Sequence, residues 1–152
     1  MAEIMTARAH LVDTMSFKVE SGSGHSVLLD ASPSEGGADR GFRPMEMLLI
    51  GLAGCTGMDV ISILRKKRQE VSAYEVYVTG WRAQGHPMVF VDITVEHVVS
   101  GHAIQPEAVA RAIELSAKRY CGAGAMLGRG AHLTHTYRII ETQQTSLQLA
   151  PL

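Results

Sequence analysis

Cysteine is nearly missing from this 152-residue chain, which has only Cys55 and Cys121. Two are too few for a disulfide framework, and a chain of this length needs none, because folding buries about 70% of its unfolded surface. An excess of either charge is missing too. With 14 basic against 15 acidic residues the chain offers no field that would hold nucleic acid or an anionic membrane. The first ten residues, "MAEIMTARAH", mix charge and polarity and lack the apolar run of a secretory signal, so the expected setting is the reducing cytoplasm. In that setting two cysteines are ordinarily small buried hydrophobes. There is no CxxC or HExxH, and "GAGAMLGRG" lacks the lysine of a phosphate loop, so neither a metal nor a cofactor is expected.

What the chain does have is one long apolar run. Met45 to Leu64 raises the question of a membrane span, but Glu46 and Asp59 lie within it, each costing about 2.5 to 3.5 kcal/mol at a bilayer centre. A buried helix from Met45 to about Gln69 is the better reading, roughly 38 Å long and wrapped on several sides. Pro44 and Glu46 suit its first turn, and the basic "RKKR" at 65 to 68 suits its C-terminal end.

On either side of this helix the pattern is that of strands. Residues 7 to 20, "ARAHLVDTMSFKVE", and 25 to 31, "HSVLLDA", alternate or run apolar around "SGSG", which predicts an antiparallel meander. "SPSEGGADRGFRP" reads as a loop. Residues 73 to 82 and 88 to 98 alternate and are joined across "AQGHP", a hairpin. Pro106 opens a second helix with Val109, Ala112, Ile113 and Ser116 on one face, ending at Tyr120, Cys121 and Gly122. "GAGAMLGRGA" reads as a loop and "HLTHTYRII" as a last strand. The order β-β-β-α-β-β-α-β, in a single domain over residues 1–152, predicts an α+β fold.

Chemistry gathers at the cysteines. Gly51, Gly54 and Gly57 surround Cys55 inside the long helix, each costing about 1 kcal/mol against alanine. Such a stripe leaves a shallow groove where another backbone packs closely or a reagent reaches sulfur. Cys121, in "KRYCGAGA", is also flanked by small residues. If the two thiols meet, one takes an oxygen from a peroxide, becomes a sulfenic acid, and condenses with the other to a disulfide. Their separation of 66 positions neither favours nor opposes that.

The charges around the thiols are open at this level. Lys118 and Arg119 adjoin Cys121, Arg40 and Arg43 sit in the loop, and Arg8, His25 and His135 lie in or near strands. "RKKR" begins about 15 Å beyond Cys55 along the helix, outside the screening length. Glu46, nine residues before Cys55, faces the opposite side of an unbroken helix and reaches the thiol only through a break or from another subunit. Asp59 shares the face of Cys55 at i+4 and disfavours a thiolate unless a lysine or arginine pairs with it. His132 and His135 are three apart and face opposite sides of a strand. Met45, Met47, Met58 and Met126 near the cysteines are core filling or the wall of an apolar pocket.

With "SGSGH" at 21 to 25, "RPMEMLLIGLAGCTGMDVISILRKKRQEV" at 43 to 71, "LSAKRYCGAGAML" at 115 to 127 and "HLTHTYRI" at 132 to 139, the chain resembles the OsmC/Ohr family, in its OsmC-like branch. The resemblance covers nearly the whole chain. It implies antiparallel sheets wrapped around a long central helix in an intertwined homodimer, with active sites at the subunit interface. It also implies that Cys55 is the peroxidatic cysteine and Cys121 the resolving one, reducing organic hydroperoxides with a small or lipoyl dithiol as reductant. Family members carry a glutamate directly after the proline of this helix and an arginine early in the chain. Here Met45 follows Pro44, and Glu46, the candidate for that part, is displaced by one. The alternative is a non-catalytic protein of the same fold that binds an apolar or acyl ligand.

Overall fold

A computed structural model describes residues 3–143 of the chain. Two units divide it, residues 1–48 and residues 49–152.

The first unit is the expected meander. Strands β1 (Ala7–Asp13), β2 (Ser16–Ser21) and β3 (Ser26–Leu29) pair antiparallel in that order. The stretch from 7 to 20 is itself a hairpin, turned at Thr14, which takes a positive φ of 30°. "SGSG" turns the chain again, with Gly24 at φ 86°, a conformation glycine adopts without strain. The loop that follows is organised by one buried acid. The carboxylate of Asp30 accepts from the N–H groups of Ala31 (2.9 Å), Ala38 (3.2 Å) and Arg40 (3.1 Å). Burial pushes its pKa up, but these donors outweigh burial and hold it below the usual carboxylate range.

Helix α1 (Pro44–Lys66) starts where Pro44 supplies a helical φ and Glu46 accepts from the orphan N–H of Arg43 at 2.9 Å. It ends when Arg68 turns left-handed at φ 55° and the Gln69 N–H returns to the Leu64 carbonyl. By length and composition alone α1 could cross a membrane. It is not wrapped on several sides, as the sequence predicts. One stripe is fully buried, Leu52, Thr56, Val60 and Leu64, at the i+4 spacing that puts side chains on a single face.

In the second unit, β4 (Glu70–Arg82), β5 (Phe90–His102) and β6 (His132–Glu141) form a sheet in that order. β4 and β5 are the expected hairpin, longer at its open end, where they reach Glu70 and His102, because β5 is the central strand and finds backbone partners on both sides. β5 and β6 pair parallel, the one departure from the antiparallel expectation. A parallel neighbour requires a crossover, and α2 (Pro106–Leu115) and α3 (Gly122–Leu127) provide it. The core joins Val60 and Leu64 of α1, Val99 of β5, Ile104, and Ala108, Val109, Ala112 and Ile113 of α2.

Two expectations at the second cysteine are corrected. The helix does not run on to Gly122 in α form. After Leu115 it widens into a π turn over Ser116–Tyr120, in which the Cys121 N–H reaches the Ser116 carbonyl at 2.9 Å. The stretch read as a loop is α3, with Cys121 at its N-cap position, where Sγ accepts from the Gly124 N–H at 3.2 Å. Gly122, Gly124 and Gly128 look like loop residues by propensity, and the cap overrides it.

Candidate active site

Cys55 stands mid-helix in α1, half-buried, one residue before the buried Thr56. Cys121 is buried between the π turn and α3. The two sulfurs and a carboxylate oxygen of Asp59 all lie within 4.8 Å of one another. Both thiols are free, and since an S–S bond is about 2.05 Å long, disulfide closure needs a movement of under about 3 Å.

The glycines act differently from the sequence expectation. A Cβ at Gly57 would touch Val76 at 3.4 Å and Tyr74 at 4.0 Å, so this glycine faces β4 and not the second helix. Gly51 and Gly54 have nothing within 4 Å. Close approach to Cys121 comes instead from Gly124, where a Cβ would lie 3.3 Å from Cys121 Sγ and 3.7 Å from Leu52.

Ser116, read only as a small residue on a helix face, ties the site together. Its hydroxyl donates to Asp59 Oδ2 at 3.0 Å and receives the Thr56 hydroxyl at 3.2 Å, while its carbonyl holds the Cys121 N–H. Thr56 and Ser116 are both fully buried. The expected lysine or arginine beside Asp59 is replaced by this serine; among the described residues Asp59 makes no ion pair. No sequence periodicity marks Ser116, because its function depends on the π turn that brings its two ends to different partners.

Burial pushes the Cys121 thiol up to about 11, and the neighbouring Cys55 thiol adds to the rise; the Gly124 N–H works against it, and the charge of Asp59 works with it. Cys121 is therefore a protonated thiol at neutral pH. The cations considered from sequence have other partners. Lys118 pairs with Glu114 at 2.8 Å and Arg119 lies over the Tyr120 ring at 5.5 Å. Arg40 bonds Asp13 at 2.6 Å and Ser16 at 3.0 Å, and Arg43 holds Asp39 and the Gly41 carbonyl. Arg8 stands opposite Glu20, and His25 bonds Ser23 at 3.1 Å. Glu46 remains at the start of α1, and the helix runs unbroken from there to Cys55, so no break carries it round to the sulfur.

His135 belongs to a second polar cluster. Tyr74 Oη lies 2.7 Å from His97 Nδ1, and His97 Nε2 lies 3.1 Å from His135 Nδ1, with the rings stacked. His132 points the other way, toward Asp92 at 3.4 Å, as strand alternation requires.

Beside Asp59 a groove of about 550 Å³ opens, lined by Met58, Ser62, Ile63, Leu115 and Tyr120 and reaching Lys66 and Lys67. Chemically, two adjacent thiols of unequal exposure next to a groove can exchange oxidising equivalents with a small reagent. Two sulfurs and a carboxylate are also a donor set that suits Zn²⁺, whose binding would occupy both thiols.

The model of the OsmC-like protein family matches residues 36–136. Protein YhfA of Escherichia coli (strain K12) is 39% identical over 136 residues, which cover 90% of this chain and 98% of that protein. A hypothetical protein from Aquifex aeolicus VF5 superposes with a TM-score of 0.82 at 26% identity, over 93% of this chain and 100% of that one. An organic hydroperoxide resistance protein OsmC from Legionella pneumophila shares the fold, with a TM-score of 0.69 at 12% identity over 90% of this chain and 98% of its own. This chain belongs to the OsmC-like family.

Proposed function

We propose that the protein is a cytoplasmic, cysteine-based thiol peroxidase that reduces organic hydroperoxides. The observation that carries this reading is the convergence of Cys55 and Cys121, remote in sequence, to within 4.8 Å beside an open groove. Cys55, the more exposed, attacks the distal peroxide oxygen, the alcohol leaves, and the sulfenic acid forms. Cys121, held as a buried thiol, then displaces water from Cys55 and closes the disulfide, which a small or lipoyl dithiol reopens by exchange. Family membership and the printed name of the Legionella pneumophila neighbour support the substrate class.

The working form is a homodimer. On α1, Met58 is 74% exposed and Ile50 44%, and Gly51 and Gly54 face open space. An apolar helix with one buried stripe suits a second copy packed on its other faces. Glu46 would meet a thiol from that second subunit.

The test is turnover of cumene hydroperoxide with a dithiol by the full-length protein. Cys55→Ser abolishes it. Cys121→Ser consumes one equivalent and stops, with a sulfenic acid trapped on Cys55. Equal activity of Cys55→Ser and the parent overturns the proposal. The groove favours a second reading, an apolar or acyl ligand-binding protein. That reading requires a co-purifying ligand and slow alkylation of Cys55 across neutral pH.

A further inference from the structure

The peroxidase reading leaves its proton transfers without a carrier, and the structure leaves a carboxylate without a part. Asp59 sits at i+4 from Cys55 with an oxygen within 4.8 Å of both sulfurs, and it also lines the groove. The ionisable groups that act most strongly on Cys121 are Cys55 and Asp59. A negative neighbour does not stabilise a standing thiolate. It suits a thiol whose proton moves as the new bond forms. The carboxylate is also oriented for this. Thr56 donates to Ser116, and Ser116 donates to Asp59 Oδ2, which anchors the carboxylate beside the two sulfurs.

We propose that Asp59 is the proton carrier for both steps at this site, a base toward each thiol and an acid toward each leaving oxygen. The proposal rests on the peroxidase reading. In the first step the Cys55 thiol proton passes to Asp59 while Sγ bonds to the distal oxygen of the hydroperoxide. The O–O bond breaks, and the departing alkoxide takes the proton from Asp59 as alcohol. Sulfur is oxidised by two electrons, the peroxide is reduced, and Asp59 returns to carboxylate. In the second step the Cys121 proton passes to Asp59 as the sulfurs join, and the hydroxide leaving Cys55 takes it as water. One carboxylate in reach of both sulfurs serves both, and the high pKa of the Cys121 thiol, about 11, makes a base most needed in the second.

The acid half of this function depends on the leaving group. An alkyl hydroperoxide expels a strongly basic alkoxide that needs a proton, whereas a peracid expels a carboxylate that does not. The experiment is single-turnover oxidation of the reduced full-length protein by cumene hydroperoxide and by peracetic acid, for the parent and Asp59→Asn. The expected result is slowing of about 100-fold or more with cumene hydroperoxide, at least about tenfold greater than the slowing with peracetic acid. Equal slowing with both oxidants or an unchanged rate overturns the proposal. If the variant does not fold, the parent alone decides: a solvent deuterium isotope effect of about 2 or more on oxidation by cumene hydroperoxide supports proton transfer in the step, and an effect near unity overturns it. A parent that reacts with neither oxidant defeats the peroxidase reading itself, before Asp59 is in question.

Discussion

Two polar clusters lie in the second unit, and they differ in what stands beside them. Cys55, Asp59 and Cys121 lie together, and Asp59 lines a groove of about 550 Å³. Tyr74, His97 and His135 form a hydrogen-bonded chain whose middle ring is fully buried. With the phenol as donor to His97 Nδ1, the Nε2–H of His97 donates to His135, and His135 Nε2 ends the chain buried and without a partner. Titratable groups in a protein interior are therefore not by themselves a sign of chemistry. The thiols differ in exposure and neighbour a residue that lines a groove, whereas the imidazoles are hydrogen-bonded across the sheet and serve to join β4, β5 and β6.

This contrast predicts a double dissociation. The largest effect is that of Cys55→Ser, which should remove peroxide turnover while leaving the thermal midpoint near that of the parent, since serine fills nearly the same space. A coupled peroxidase assay and a melting curve on the same sample check both halves. Loss of stability without loss of turnover would invert the assignment of the clusters.

Next comes the pH dependence of stability. Burial, and then the charge of His135, push the His97 pKa down to about 4 from an ordinary 6.5, and burial lowers His135 too. These rings are neutral in the fold and take up protons more readily when unfolded. Stability is therefore full above pH 6.5 and is lost as pH falls from there toward about 4. For His97 the loss is roughly 3 kcal/mol. Urea denaturation at pH 7 and pH 4.5 should show it, with a shallower dependence in His97→Leu. An equal slope in the variant would place the acid sensitivity elsewhere.

Tyr74→Phe should cost about 1 to 3 kcal/mol, because it leaves His97 Nδ1 buried and unpaired, with the peroxidase rate unchanged. The smallest effect concerns the open face of α1. Gly54→Ala should gain helix propensity, about 1 kcal/mol, in an isolated subunit, yet weaken the proposed dimer, where the added methyl meets the second copy. Sedimentation against concentration measures the balance. A variant that associates as tightly as the parent removes Gly54 from the interface.

Much of the fold was legible from local pattern. Alternation marked the strands, and "SGSG" and "AQGHP" marked turns, because side-chain period and turn chemistry are properties of a few adjacent residues. Pro44 with Glu46 marked the start of α1 for the same reason. The region from 115 to 131 was not legible. A π turn and a cysteine-capped helix depend on hydrogen bonds between Ser116, Cys121 and Gly124, and the closely spaced glycines lower the helix propensity that would reveal them. The parallel pairing of β5 with β6 is likewise a consequence of where the crossover returns the chain. At the site, Cys55 and Cys121 stood out by scarcity, but Ser116 and Thr56 did not, since buried hydroxyls look like any small residues until their partners are known.

By itself the sequence determined the order of strands and helices, the family, and which two sulfurs were available to react, because each of these is carried by short motifs and residue identity. Only the tertiary structure decided that the sulfurs meet, that Asp59 joins them through Ser116 and not a cation, and that one stripe of the long helix is buried. Those outcomes depend on distances between residues dozens of positions apart, and no local spacing in the chain encodes such distances.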